Sequence, residues 1–334
     1  NDPQFTTQTN GGVQILDGDI DATGGRAVDI EDSVYDINLT SVRATGGING
    51  IRLVNNFGFG RDQAAQFIVT GLNGAPGTGG SIQNTTGAGV LATDTGVVSL
   101  QAMTIQNSGG NGIFASNTAP FLNSTPVYAT QLEVLGTTVQ GNAAVGILAN
   151  NVPIVNIEDS IVSNNTGSEI SLLASIGRLN QGDLNEFDAN YFWFLDGNTV
   201  TEAQAGVAAI SATSTNTTTN VQFDVINSVS INHSGAGGEA ILATAGGNWV
   251  SLIGANTINM TGAGTSGIVY QGNSVTSNTT LQILSNVING TTAAHTGIDV
   301  STLGAANIDV GNANGLPGNL IQLTGNNSIN AAVA

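Results

Sequence analysis

The stretch NGIFASN, at residues 111–117, is one copy of a short phrase that recurs along the chain. Related copies are NGIRLVN (49–55), AGVLATD (88–94) and VGILANN (145–151). The phrase itself starts at the glycine of each stretch, Gly112 in the first, and continues with a β-branched, an outward and an apolar position. Internal repeats are the first property to interpret, because they determine the class of fold.

Ten copies of the phrase can be aligned, and the second position is β-branched in every one of them. Their spacing runs from 23 residues, between Ala27 and Gly50, to 39 residues, between Gly50 and Gly89. A β-branched residue at an equivalent position of every repeat predicts a ladder of inward side chains through a common core. The second positions are Val28, Ile51, Val90, Ile113, Ile147, Ile170, Val207, Ile241, Ile268 and Ile298.

A second kind of segment lies between the copies and alternates apolar with polar residues. Examples are VSLQAMTI (98–105), VNIEDSI (155–161) and LQILSNVI (281–288). Alternation with period two indicates strands, and the surrounding Asn, Gly, Ser and Thr favour turns. The shortest repeats are too short for propeller blades. We therefore predict an all-β chain, a right-handed parallel β-helix (solenoid) of about ten coils. It forms a single domain over 1–334, with an aromatic-rich insertion or irregular coil at 173–203.

The segment TIQNSGGNGIFASN (104–117) resembles the right-handed parallel β-helix proteins. The phrases GGRAV, GGNGI and GGEAI resemble the passenger domains of bacterial autotransporters and polymorphic outer-membrane proteins. This resemblance implies an extracellular or bacterial cell-surface protein with a structural or adhesive role. Because polysaccharide lyases and hydrolases also use this fold, a carbohydrate-active enzyme or a glycan-binding module is the alternative.

Composition restricts the classes of partner. Only 8% of residues are charged, and 23 acidic residues against five basic ones give a net charge of -18. A phosphate backbone needs Lys and Arg to neutralise it, so nucleic acid is an unsuitable partner. The chain contains no cysteine, which excludes disulfides and thiolate metal sites. No apolar run is long enough for a transmembrane helix, so we expect no membrane insertion within this segment.

The first residue is Asn1, and we expect the chain to be a processed form or an excised segment. Neither end of the sequence reads as a polar cap, although an uncapped β-helix end exposes backbone groups that pair with another strand. The sequence therefore predicts self-association into a filament, continuation into a longer surface rod, or binding to other surface proteins.

One metal hypothesis comes from LDGDIDATGG (16–25), which places Asp17, Asp19 and Asp21 at alternate positions. Three carboxylates at this spacing resemble the start of a calcium-binding loop. The sixth and twelfth positions of such a loop would be Gly and Glu, whereas this chain has Ala22 and Val28. The other interpretation is a solvated outer strand face, and we expect no other cofactor.

Two sets of residues are candidates for binding or interface roles. Leu91, Phe114 and Leu148 hold the outward position on three successive copies, which predicts an apolar ridge covered by a loop or a partner. The segment FDANYFWFLDGN (187–198) contains Tyr191 and Trp193. Its aromatics form either a binding surface or a strand whose alternate rings fill the core.

No residue set indicates catalysis strongly enough to name a catalytic residue. Asp29 and Arg52 are expected to stack on neighbouring coils, either as an acid/base pair or as a cross-strand ion pair. Glu158 and Asp159 point to opposite faces of a strand and cannot pair directly. His233 and His295 lie in polar segments and are expected to be solvated loop residues. The sequence thus favours a non-catalytic protein.

Overall fold

The protein is described from a computed structural model. The structure describes residues 12–56, 58, 64–118, 129–176, 191–228, 230–275, 278–292, 295–311, 318–323 and 329–333. These residues contain strands and no helix, and the strands form three parallel sheets of eleven, a right-handed parallel β-helix. The predicted fold class is confirmed. The chain divides into two compact units: residues 1–156 with 178–183, and residues 157–177 with 184–334.

The first unit is built from coils of three strands, one strand in each sheet. Its strands in the first sheet are β1 (Val13–Ile15), β4 (Tyr35–Leu39), β7 (Gln66–Val69), β10 (Val97–Gln101) and β13 (Gln131–Leu135). In the second sheet they are β2 (Asp19–Thr23), β5 (Ser41–Thr45), β8 (Ser81–Gln83), β11 (Thr104–Gln106) and β14 (Thr138–Gln140). In the third sheet they are β3 (Val28–Glu31), β6 (Ile51–Val54), β9 (Val90–Thr93), β12 (Ile113–Ser116) and β15 (Ile147–Asn150).

The second unit repeats the same plan, and the unit boundary falls within β16 (Ile154–Glu158) of the first sheet. The other first-sheet strands are β19 (Tyr191–Asp196), β22 (Asn220–Ile226), β25 (Asn248–Gly254), β28 (Asn278–Leu284) and β31 (Ala305–Val310). The second sheet contains β17 (Ile161–Ser163), β20 (Thr199–Glu202), β23 (Ser230–His233), β26 (Thr257–Met260), β29 (Val287–Gly290) and β32 (Leu320–Leu323). The third contains β18 (Ile170–Ala174), β21 (Ile210–Ser214), β24 (Glu239–Ala245), β27 (Ser266–Gly272), β30 (Thr296–Thr302) and β33 (Ile329–Val333).

The predicted ladder of β-branched residues lies on the inner side of the third sheet. In the first unit, Val28, Ile51, Val90, Ile113 and Ile147 are consecutive register partners, and all are buried. In the second unit the ladder reads Ile170, Ile210, Ile241, Ile268 and Ile298, each fully buried. Stacked Val and Ile side chains therefore form one wall of each core.

One predicted rung of this ladder is wrong. The sequence alignment assigned it to Val207, whereas Ile210 pairs with Ile170 on one side and Ile241 on the other. Gly206 and Val207 resemble the start of the phrase, but Gly206 has a φ of 70° and lies in the turn before the strand. The turn delays the strand, so the ladder position follows three residues later.

The predicted irregular segment at 173–203 is only partly described. Residues 177–190 lie outside the described residues, whereas β19 and β20 are regular strands of the first and second sheets. Tyr191–Asp196 pairs in register with Val221–Ile226 of β22. The aromatic strand thus belongs to the regular stack of the second unit, and the single-domain expectation stays a prediction.

Asparagine closes the corners between the first and second sheets of the second unit. The buried Asn256 donates from Nδ2 to the carbonyl of Val225 at 2.8 Å. Asn286 makes the equivalent bond to Ile253 at 2.8 Å. The residue before each has a positive φ, at Ala255 and Ser285. Buried carbonyls need hydrogen-bond partners, and these side-chain amides supply them at a corner where the strand ladder does not.

The ladder gives a direct test of the register. Ile147 is fully buried and pairs with Ile113, so Ile147→Asp places an unpaired charge in the core of the first unit. We expect a loss of about 4 kcal/mol or more in unfolding free energy, measured by urea denaturation and limited proteolysis. The matched control, Ile147→Val, should cost only about 1 kcal/mol. Equal stability of Ile147→Asp and the parent chain would contradict the register.

Candidate functional site

Two of the three candidate calcium ligands, Asp17 and Asp19, accept hydrogen bonds from the next coil. Asp17 accepts hydrogen bonds from the Gly18 amide at 2.8 Å and the Thr40 hydroxyl at 2.6 Å. The hydroxyl of Ser41 donates to Asp19. Asp19 and Asp21 are exposed on the outer face of β2. Within the described ranges, no group of three or more Asp, Glu, His or Cys side chains is arranged to hold a metal ion. The calcium hypothesis gains no geometric support.

Asp29 and Arg52 stack on adjacent strands as expected. Arg52 contacts Asp29 at 2.9 Å and Glu31 at 3.0 Å, while Arg26 reaches the other oxygen of Asp29 at 2.5 Å. Burial raises the pKa of Asp29, but hydrogen bonds from Arg52 and Arg26 more than offset it, so the pKa is lowered. Because these carboxylates are half exposed, the ion-pair network contributes little to stability. The lowered pKa values keep both carboxylates ionised.

The predicted apolar ridge is present as a contiguous row. Leu91 pairs with Phe114, and Phe114 pairs with Leu148, on the strands β9, β12 and β15. All three side chains are half-buried. Arg52 is the register neighbour of Leu91, so the row begins beside the ion-pair network. A role of this ridge in an interface stays a prediction.

The structure places Tyr191 and Trp193 in the core. Both are fully buried, and the Trp193 ring makes a T-shaped contact with Trp249 at a centroid distance of 6.3 Å. Phe192 and Phe194 point to the opposite side of β19, where their rings stack at 6.3 Å. The core interpretation therefore applies to Tyr191 and Trp193, while the outward aromatic pair of this strand is Phe192 and Phe194.

The expectation of solvated histidines is wrong, because both rings are fully buried. His233 ends β23 and uses Nε2 to donate to the Val207 carbonyl at 2.7 Å. His295 contacts the hydroxyls of Thr265 at 2.9 Å and Thr292 at 2.7 Å. His233 thus lies on a strand and bonds a backbone carbonyl, whereas His295 bonds two threonine hydroxyls, and both rings are packed inside their coils.

His233 belongs to a column of buried and half-buried ionisable residues that sequence reasoning missed. On the inner side of the second sheet, Glu202 of β20 pairs in register with His233 of β23. Glu169, just before β18, is fully buried and interacts electrostatically with Glu202. Glu239, at the start of β24, is half-buried and interacts with His233. These four residues form the glutamate–histidine column of the second unit.

Several polar atoms in the column have incomplete hydrogen bonding. The Gln204 amide donates to Oε1 of Glu202 at 2.6 Å, but Oε2 of Glu202 has no hydrogen-bond partner. Nδ1 of His233 also has none. Glu169 accepts from both the amide and the side chain of Asn165. Buried atoms left without partners mark a place where the fold tolerates a cost rather than gains stability.

Burial controls the protonation of the carboxyls. It raises the pKa of Glu169 to about 8, an effect that the Asn165 hydrogen bond reduces and the nearby Glu202 increases. Burial raises the pKa of Glu202 to about 7, against hydrogen bonds from the backbone of Gln204 and Ala203. Burial also raises the pKa of Glu239, and the electrostatic interaction with His233 offsets part of this increase.

Shifted carboxyl pKa values often mark active sites, but a catalytic carboxyl must also be accessible to its substrate. Glu169 and Glu202 are both 0% exposed, so a substrate cannot contact either carboxyl in this conformation. The column can hold protons and change the stability of its coils with pH. As arranged, it cannot act as a general acid or base on a bound polymer.

No family model matches the chain, and the searches of curated proteins and of solved structures found no similar protein. In the described ranges, no helix is long and apolar enough to cross a membrane. The site must therefore be interpreted from its own geometry.

The column predicts a stability that falls as pH rises. Folded Glu202 stays protonated to about pH 7, whereas an unfolded glutamate ionises near 4.5, so the folded chain binds more protons within this window. The loss from this residue is on the order of 3 kcal/mol across the window. Glu202→Gln should remove that part of the pH dependence and stabilise the protein above the window.

The measurement is urea unfolding at pH 4.5 and at pH 8. Glu133→Gln, the same substitution at a half-buried glutamate on β13, is the matched control. Asp29 and Glu31 have lowered pKa values, so their contributions are lost only below this window. If Glu202→Gln keeps the full pH dependence of the parent chain, the assignment is wrong.

Proposed function

We propose that this protein is a non-catalytic structural and adhesive component of an extracellular layer or bacterial cell surface. The observation that carries the proposal is the use of outward side chains to reinforce the stack. On the second sheet of the first unit, Gln106 donates to Gln83 at 3.2 Å and Gln140 donates to Gln106 at 3.0 Å. These outward amides bond to equivalent residues along the stack.

The second unit repeats this arrangement with asparagine. Asn259 donates to Asn232 at 2.9 Å, and Asn289 donates to Asn259 at 3.0 Å. Ladders of amides add cooperative bonds between identical positions of stacked strands. Such a surface is regular and rigid, which suits a protein whose task is to hold a shape and present a face.

Charge and sequence resemblance support an extracellular setting. The net charge of -18 disfavours binding to nucleic acid. The phrases GGRAV (24–28), GGNGI (109–113) and GGEAI (237–241) resemble passenger domains of autotransporters and polymorphic outer-membrane proteins. We propose that the partners are further copies of this chain, other surface proteins or glycans.

Enzyme assays and adhesion assays test the proposal together. Incubation of the purified protein with acidic and neutral polysaccharides should release neither reducing ends nor unsaturated products. Beads coated with the protein should nevertheless adhere to each other or to a polysaccharide film, because adhesion needs only the outer faces. Beads coated with Ile147→Asp protein should lose adhesion as the coils unfold.

The rival function, a carbohydrate-active enzyme, predicts the opposite pattern. Reproducible turnover that disappears in Asp29→Asn would refute the non-catalytic role, because Asp29 is an accessible carboxylate paired with Arg52. Absence of both turnover and adhesion would refute the adhesive role while leaving the fold intact.

A further inference from the structure

A groove of about 410 Å³ lies in the second unit, where the chain leaves the third sheet. It follows the carboxyl ends of β21, β24 and β27, three neighbouring strands. Thr213 of β21 is the register partner of Thr244 of β24, and both threonines line the groove. The groove is therefore formed by equivalent corners of successive coils.

The floor of the groove is fixed by hydrogen bonds from backbone amides to one buried hydroxyl. The buried hydroxyl of Ser214 accepts from the amides of Gly246 at 3.0 Å and Gly247 at 3.3 Å. A Cβ on Gly247 would lie 2.3 Å from the carbonyl oxygen of Thr219, and one on Gly246 would lie 2.7 Å from that of Ser214. Only glycine therefore fits these two positions, where the chain packs closely against the backbone of the preceding coil.

The walls supply hydroxyl and amide groups. Thr213 and Thr244 are half-buried, whereas Thr215, Thr217 and Asn273 are exposed. The hydroxyls of the four threonines make no hydrogen bond to any other described residue. Each can therefore donate one bond and accept others from a ligand.

The chemistry of the lining selects the ligand. None of the described residues that line the groove is charged, and the rim carries an apolar side chain, Val275, that is 76% exposed. Hydroxyls beside a small apolar surface match a sugar, which combines hydroxyl groups with apolar C–H faces. The net charge of -18 opposes an acidic polymer. The volume falls within the range of ligand sites, about 300–1,000 Å³.

We propose that this groove binds a neutral oligosaccharide. The inference rests on the proposed adhesive function and names the class of ligand that one face of the second unit recognises. A second class of occupant, an extended peptide, would pair with a strand edge through its backbone. The hydroxyl-lined corner offers side chains instead, which favours the saccharide.

The test is calorimetric titration of the full chain with neutral hexasaccharides of glucose, mannose and N-acetylglucosamine, and with an oligogalacturonate for comparison. At least one neutral hexasaccharide should bind, and the oligogalacturonate should not. Thr244→Val keeps the shape of the side chain and removes its hydroxyl, so affinity should fall about 3- to 10-fold. Thr257→Val, on the outer face of β26, is the matched control and should bind as the parent does.

A second variant guards against loss of the fold. Val275→Asp changes a largely exposed side chain and should weaken binding without altering the circular dichroism. No binding of any neutral hexasaccharide, or unchanged affinity in both Thr244→Val and Val275→Asp, would overturn the groove assignment. Adhesion without saccharide binding would refute the groove alone, whereas cleavage of a bound hexasaccharide would refute the non-catalytic role and retain the groove.

Discussion

Parallel, in-register stacking within each unit places every strand residue beside its equivalent on the next coil. A side chain must therefore tolerate a neighbour of its own kind a strand spacing away, about 4.8 Å. Aliphatic residues meet this condition in the core, where Ile113 lies against Ile147 and Ile241 against Ile268. Amides meet it outside, where each can donate to the next. Like charges do not, which explains why so few charged residues occur.

The same constraint explains the abundance of asparagine. Each coil must turn three times, and many turns contain a non-glycine residue with positive φ, most often Asn or Asp, as at Asn55, Asn107 and Asn164. These residues adopt the left-handed region more readily than most others. At the corners of the second unit, a buried asparagine then bonds a carbonyl of the preceding coil. Asparagine thus has two roles: in some turns it adopts a positive φ, and at other positions its side chain donates a hydrogen bond to a buried carbonyl.

The glutamate–histidine column is an exception to the scarcity of charged residues in the stack. Glu202 and His233 hold inward positions of adjacent strands without a hydrogen bond between their free atoms. The groove in the same unit has the opposite character, with uncharged hydroxyls open to solvent. We therefore assign ligand binding to the groove and pH-dependent stability to the column, because only the groove is accessible.

Periodicity predicted the fold class and the ladder because these depend on residues repeated in every coil. It placed Val207 where Ile210 belongs, since a glycine before a β-branched residue can also occur in a turn. The buried carboxyls left a readable signal: Glu169 replaces the small residue of the phrase, and Glu202 follows Val200 at the inward spacing of two. His233 likewise follows Ile231 at the inward spacing of two, whereas the burial of His295 and the groove left no comparable signal because both depend on how individual turns pack.

The central claim is the register of the stack, and cysteine cross-linking tests it directly in a chain that contains no cysteine. Thr104 and Thr138 are register partners on β11 and β14, so their Cα atoms should lie about 5 Å apart, within the range that a disulfide spans. The double variant Thr104→Cys/Thr138→Cys should oxidise rapidly to an intramolecular disulfide. Thr104→Cys/Gln140→Cys, offset by two residues and about 8 Å apart, should oxidise much more slowly. Equal rates for the two pairs, or faster closure of the offset pair, would contradict the account.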